Sequence, residues 1–238
     1  MIVERAPATE LIPRPLELLD AAAEQGRPLG VWSRATEAAL VLGSGQHPPA
    51  GWSPPDGLPL VRRGTGGGAV LCDEAYLMLD IALPAGDPRI LDDVTETYRW
   101  LAERLVAALG RLGVDDLSLV DPLALRRLDA PAREAARLAC FAGLGPYELL
   151  DAHGGKLVGL AQRRRRGGVL LQAAAYLGGD RGELADLLWI SAGERDGLRA
   201  RLRASATLGP VGLRLPEELG PVWGSWAGTG PCSAKGPG

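Results

Sequence analysis

Two short glycine-rich segments carry the side chains best suited to chemistry. The first, Arg62 to Val70, reads R-R-G-T-G-G-G-A-V. Consecutive glycines let backbone N–H groups approach a ligand with no Cβ in the way, and two adjacent arginines supply charge-assisted donors for a phosphate or carboxylate. The pattern is not a P-loop, which needs Lys-Ser/Thr next, nor the GxGxxG fingerprint, which must open a helix. A plain turn between two strands is the simpler alternative. The second segment, Gly154 to Gln162, reads G-G-K-L-V-G-L-A-Q and contains Lys156, one of two lysines in the chain. A lysine held by a glycine turn at a strand start can aim its ammonium at a carbonyl or phosphate, or act as a base when partly desolvated. The plainer reading is a surface lysine in a hairpin.

The elements that must position these segments follow from apolar spacing. Leu16, Leu18, Leu19 and Ala22 predict a short amphipathic helix over 15–25, closed by Gly26 to Pro28. Short strands are predicted at 31–34 and 38–45, then at LPLVRR entering the glycine cluster and AVLC leaving it. YLMLDIALP (76–84) suits a buried strand. Val94, Tyr98, Leu101, Leu105 and Leu109 predict a helix over 92–109 that begins acidic and stops at Gly110. Beyond it come a strand at LSLV, a Pro- and Arg-rich connection to 136, and strands at LACF, PYELLDA, GGKLVGLAQRR and GGVLLQAAAYL. Two short helices are expected within 181–204.

The chain has 238 residues, a formal charge of −3, 46% hydrophobic and 23% charged residues, which fits a single catalytic-size domain over 1–227 and a flexible Gly/Pro-rich tail over 228–238. Such a length buries roughly 70% of the unfolded surface, enough for a core of Leu, Val, Ala and Ile without disulfides or metals. The slight acidity argues against nucleic acid as a partner, although Arg163 to Arg166 form one basic run. That run suits a solvated turn, an acidic partner surface or a pyrophosphate. Three cysteines without paired spacing predict neither a disulfide framework nor a metal site, and a reducing cytoplasm fits best. No signal-peptide pattern or membrane-length apolar run is expected to take the chain into or across a membrane. His47 and His153 lack metal-ligand spacing.

Together the segments resemble the lipoate–protein ligase family, related to the biotin protein ligases and to the octanoyltransferases. The resemblance begins at ALVLGSGQ (Ala39 to Gln46), continues through RRGTGGGAVLCDE, DVTETYRWLAERL and CFAGLGPYELL, and ends at GGKLVGLAQRRRRGGVLLQ. It implies an α+β fold of mixed β-sheets flanked by helices, like the biotin/lipoate ligase catalytic domain and the class II aminoacyl-tRNA synthetases. It implies that Arg62 and Arg63 orient the activated acyl head, that Gly66, Gly67 and Gly68 line an acyl tunnel, and that Lys156 holds the acyl carbonyl. Thr65, Ala69, Asp73, Gly159, Ala161 and Gln172 belong to the same ligand-binding motifs. Two departures stand out: Cys72 where the family commonly has His, and Gln172-Ala173-Ala174 where it commonly has Gln-His-Gly.

The activity so implied is attachment of a lipoyl or octanoyl group to a lysine of a small carrier domain, of the glycine-cleavage H protein or 2-oxoacid dehydrogenase E2 type. The preferred route is an acyl-adenylate made from lipoate or octanoate with ATP and Mg²⁺, with a separate accessory subunit supplying what the short C-terminal region lacks. The alternative is a cofactor-independent transferase in which Cys140, in an Ala-Cys-Phe segment similar to that of the transferase branch, attacks an acyl thioester with help from Lys156. Free cysteines are also often small buried apolar residues. A module that binds an acyl chain or a partner without chemistry is the third reading.

Overall fold

The computed structural model describes residues 3–220. Its strands are β1 (Val3–Ala6), β2 (Leu29–Ala35), β3 (Ala39–Leu42), β4 (Leu60–Arg62), β5 (Val70–Cys72), β6 (Tyr76–Pro84), β7 (Ser118–Leu119), β8 (Leu149–Leu150), β9 (Lys156–Arg165) and β10 (Gly168–Tyr176). The helices are α1 (Ala8–Leu11), α2 (Arg14–Gln25), α3 (Arg99–Arg111), α4 (Pro122–Leu125), α5 (Ala130–Leu138), α6 (Ala192–Arg203) and α7 (Leu215–Leu219). Seven strands form one sheet in the order β1-β2-β6-β10-β9-β8-β7, and β4-β3-β5 form a second. Each sheet is mixed: β1 runs parallel to β2 and β3 to β4, whereas β6, β10, β9 and β8 pair antiparallel. This is the expected architecture of mixed sheets flanked by helices.

The nearly unbroken apolar run of β6 buries all nine of its residues, as a strand covered on both faces requires. Leu77, Leu79, Ile81 and Leu83 pack with Leu101, Leu105 and Leu109 of α3. On the opposite face Tyr76 and Met78 meet the small sheet, and Ala82 meets Leu19 and Ala22 of α2. Helix α2 has Pro15 in its first turn and ends at Gly26, whose φ of +61° is the left-handed cap that glycine supplies cheaply.

Three sequence expectations change. The helix predicted over 92–109 begins later, because Asp93 Oδ1 accepts the N–H groups of Thr95 (2.7 Å) and Glu96 (3.3 Å). Such local bonds compete with the first helical turn, and a 3-10 turn at Glu96–Tyr98 leads into α3 instead. The connection before 136 contains α4 and α5; Asp129 caps α5 by accepting from Ala132 N at 2.8 Å. LACF is not a strand. Ala139 makes a single parallel bridge to Ala69, and Cys140–Ala142 then turn as a 3-10 helix that sends Phe141 into the core against Tyr76 and Tyr176. No helix among the described residues is long and apolar enough to cross a membrane. The segment from Gly228, with Cys232, lies outside the described residues.

Candidate active site

The glycine turn before β9 and the 3-10 turn after α5 bring together residues sixteen positions apart. Lys156, the first residue of β9, places its Nζ 3.7 Å from Cys140 Sγ and 2.7 Å from the Cys140 carbonyl oxygen. The ammonium also donates to Gly143 O at 3.2 Å and pairs with Glu148 Oε2 at 2.7 Å. Its three protons thus have three oxygen acceptors, with the Cys140 sulfur as a further close neighbour. Lys156 and Glu148 expose only 4% of their side chains each. Burial works against the ammonium, but the Cys140 sulfur and the Glu148 carboxylate outweigh it and hold Lys156 above its ordinary pKa.

Glu148 lies within CFAGLGPYELL but outside the residues whose type and spacing suggest chemistry. Its carboxylate accepts from Gly145 N at 2.6 Å and Leu160 N at 3.1 Å as well as pairing with Lys156, so every buried charge in the corner is satisfied. The signal available was an acidic residue inside the apolar run Y-E-L-L just before the glycine turn.

The glycine loop packs against this corner. Ala69 N donates to Leu138 O and Cys140 N to Ala69 O, both at 2.9 Å. Gly68 permits that approach: a Cβ there would lie 2.6 Å from the Ala139 backbone. Gly67 has a φ of +95°. Gly66 to Gly68 border an outer cleft of about 310 Å³ that also contains Cys140, Glu148 and Lys156.

The two arginines bond to backbone carbonyls of the protein. Arg62 Nη1 donates to the carbonyls of Gly43 and Gln46, tying down the turn after β3. Arg63 holds the glycine loop from within, donating Nη2 to Gly66 O and Gly68 O at 2.8 Å each. Its Nη1 is buried with no hydrogen-bond partner. Gln46 completes the frame by accepting from Gly43 N and donating to the Arg137 and Leu138 carbonyls.

Behind Cys140 lies an inner pocket of about 40 Å³, bordered by Arg63, Tyr76, Met78, Asp80, Gly159 and Gln172, among others. Ala161 borders both spaces. Thr65 hydroxyl donates to Gln172 Oε1, and Gln172 Nε2 donates to Asp80 Oδ1 at 2.6 Å, making a polar chain across the pocket. Burial pushes the Asp80 carboxyl up to about 7. Asp73, by contrast, caps the turn before β6 through Ala75 N, and Cys72 is a buried thiol pushed up to about 12 by burial.

The basic run is largely spent on the protein itself: Arg163 donates to Gly64 O, Arg164 to Leu91 O and Thr97 Oγ1, and Arg165 lies 3.7 Å from Asp20. Among the described residues, no three His, Cys, Asp or Glu side chains group as metal ligands.

Residues 17–206 match the model of the lipoyl protein ligase A/B catalytic domain. The octanoyltransferase LipM of Kyrpidia tusciae is 31% identical over 217 residues, 79% of this chain and 76% of that protein. That of Lysinibacillus sphaericus is 34% identical over 151 residues, 63% of this chain but only 53% of that protein. Among solved structures, the bipartite lipoate protein ligase of Thermoplasma acidophilum, studied with its E2 lipoyl domain, has a TM-score of 0.61 at 19% identity, covering 92% of this chain and 81% of that one. Lipoate-protein ligase A bound with ATP follows at 0.55 and 20%, covering 92% of each chain. The fold is that of these ligases, and the chain belongs to the lipoyl protein ligase A/B catalytic domain family.

Proposed function

We propose that this protein transfers an octanoyl or closely related acyl group from a thioester to a lysine of a small carrier domain, through a thioester on Cys140. One observation carries the reading: the Lys156 ammonium, 3.7 Å from Cys140 Sγ, is locked there by a buried carboxylate. A fixed cation in a low-dielectric corner stabilises negative charge on the sulfur, which makes it a nucleophile. The thiolate attacks the donor carbonyl, a new carbon–sulfur bond forms, and the donor thiol leaves with a proton. The carrier lysine, as a neutral amine, then attacks the Cys140 thioester. The amide forms, the carbon–sulfur bond breaks, and the thiolate is restored beside Lys156.

The relatives named octanoyltransferase LipM support this route over an acyl-adenylate. So does the state of the two arginines, each of which spends donors on backbone carbonyls, Arg62 on the turn after β3 and Arg63 on its own glycine loop. A carrier of the lipoyl-domain type is the acceptor we infer, in line with the E2 lipoyl domain studied with the Thermoplasma ligase.

The test is intact-mass analysis of protein and carrier. With octanoyl thioester and no ATP, the wild type should gain one octanoyl adduct and pass it to the carrier, and Cys140→Ser should do neither. Modification only with lipoate, ATP and Mg²⁺ would establish the ligase instead, and no modification in either mixture would leave a binding module.

A further inference from the structure

The inner pocket ends against a polar chain, and a second cavity lies directly beyond it. Both spaces sit on one face of the seven-stranded sheet, as the register shows. Gly159 of β9 is opposite Ala174 of β10, Ala174 is opposite Met78 of β6, and Met78 is opposite Ser33 of β2. One step along the same face, Ala161, Gln172, Asp80 and Val31 follow in the same strand order. The inner pocket covers the β9, β10 and β6 part of this face, and the second cavity, about 330 Å³ beneath α2, covers the β2 and β1 part. Asp80 borders both, and it is the residue at which they divide.

The distance is informative. Cys140 Sγ lies 3.5 Å from where a Cβ on Gly159 would be, so an acyl group on the sulfur starts above β9. From Gly159 on β9 to Asp80 on β6 is two strand spacings across and two residues along, roughly 12 Å between backbones, of which the bond from sulfur to the acyl carbon covers about 2 Å. The seven carbon–carbon bonds of an extended octanoyl chain, at about 1.5 Å each in zigzag, span roughly 9 Å. The path between runs over small side chains at Gly159, Ala161 and Ala174. It then meets the Gln172–Asp80 hydrogen bond, with Asp80 4% exposed.

We propose that Asp80 sets the length of the acyl group: its carboxyl, held by Gln172, which Thr65 holds in turn, closes the inner pocket at the depth an eight-carbon chain reaches. This deepens the thioester reading above and rests on it. A longer chain could enter the cavity under α2 only by parting Gln172 from Asp80, leaving two buried polar groups unpaired against methylene groups. With the carboxyl removed, the two spaces join, and each further methylene gains by leaving water.

The experiment compares octanoyl and dodecanoyl thioesters of N-acetylcysteamine as donors to Cys140, followed by intact mass over time. In Asp80→Ala the dodecanoyl-to-octanoyl rate ratio should rise by roughly tenfold or more over the wild type. Asp80→Ser, which keeps a hydroxyl for Gln172 while giving up the carboxyl, is read in parallel so that the test stands if the alanine variant does not fold. Adding Leu18→Trp, which fills the cavity under α2, should return the ratio toward the wild-type value. An unchanged ratio in a folded variant that still takes up octanoyl overturns the inference. A wild type that takes up no octanoyl from the thioester overturns the transferase reading itself.

Discussion

At the Cys140 corner Lys156 and Glu148 are both charged and each 4% exposed, whereas at the end of the inner pocket Asp80 is equally buried and bonded to the neutral amide of Gln172. The ion pair keeps its charge because each partner also meets backbone groups: Cys140 O and Gly143 O for the ammonium, Gly145 N and Leu160 N for the carboxylate. Asp80 has no such set, and burial raises it to about 7. A satisfied pair is a fixed electrostatic device beside a nucleophile, and a proton-binding carboxyl in an apolar pocket is a wall. The two clusters therefore carry separable tasks, reactivity and shape, and substitutions should separate them.

The largest effect is expected at Glu148. In Glu148→Gln the Lys156 ammonium loses its carboxylate, so burial pushes it toward the neutral amine and its charge disappears at lower pH than in the wild type. Acylation of Cys140 should slow, by less than the roughly 10²–10³-fold that loss of the cation itself would cause. The alkaline limb of the pH–rate profile should move down in pH. A slower variant with an unmoved alkaline limb would mean that Glu148 serves packing alone. Glu148→Ala should in addition lose about 3–5 kcal/mol of stability, because it strands a buried charge.

At Asp80 the expected effect is on stability and has the opposite sign with pH. The folded-state pKa lies near 7, above the ordinary carboxylate value of 3.8, so the folded protein holds a proton that the unfolded chain gives up. The contribution of Asp80 is thus fully favourable below about pH 4 and is lost as pH rises through about 7, for a total of at most about 4 kcal/mol. Asp80→Asn keeps an acceptor for Gln172 without the charge. Urea unfolding should find the variant more stable than the wild type at pH 8, with the gap closing toward pH 4. A constant gap across that range would show that Asp80 is not the titrating group.

The frame around both regions is legible in the sequence, whereas the two carboxylates that make the contrast are hidden for identifiable reasons. The strand–glycine–strand pattern at 60–72, the buried strand at 76–84 and the long strands after Lys156 follow from apolar runs and glycine turns, and the structure contains them. Lys156 and Cys140 were candidates, and their 3.7 Å approach joins them. Charge on Arg62 and Arg63 was legible but its direction was not, because a sequence does not tell which loop carbonyls lack donors. Helix α5 was obscured by Pro131 and its arginines, although Asp129 ahead of them is an N-cap. Glu148 and Asp80 share one clue, a carboxylate inside an apolar run, which the hydrophobic neighbours on either side mask.

Gly159 belongs to both regions, and its substitution is the smallest perturbation that tests how they connect. A Cβ there would lie 3.2 Å from Lys156 Cε and 3.5 Å from both Cys140 Sγ and Lys156 Nζ. The nearest atom is a methylene of the Lys156 stem, so a shift of a few tenths of an ångström at Cε, with Nζ keeping its partners, admits the methyl. Gly159→Ala should then change stability by less than about 1 kcal/mol, because the tight contact is offset by the lower entropy of the unfolded chain. The methyl nevertheless occupies the ground over which an acyl chain leaves the sulfur for the inner pocket. Octanoyl transfer to Cys140 should slow several-fold, while alkylation of the same thiol by iodoacetamide, which needs the sulfur but not the pocket, should change little. Equal slowing of both reactions would place the effect on the Cys140–Lys156 contact, and slowing of neither would mean that the acyl chain does not cross β9 at this point.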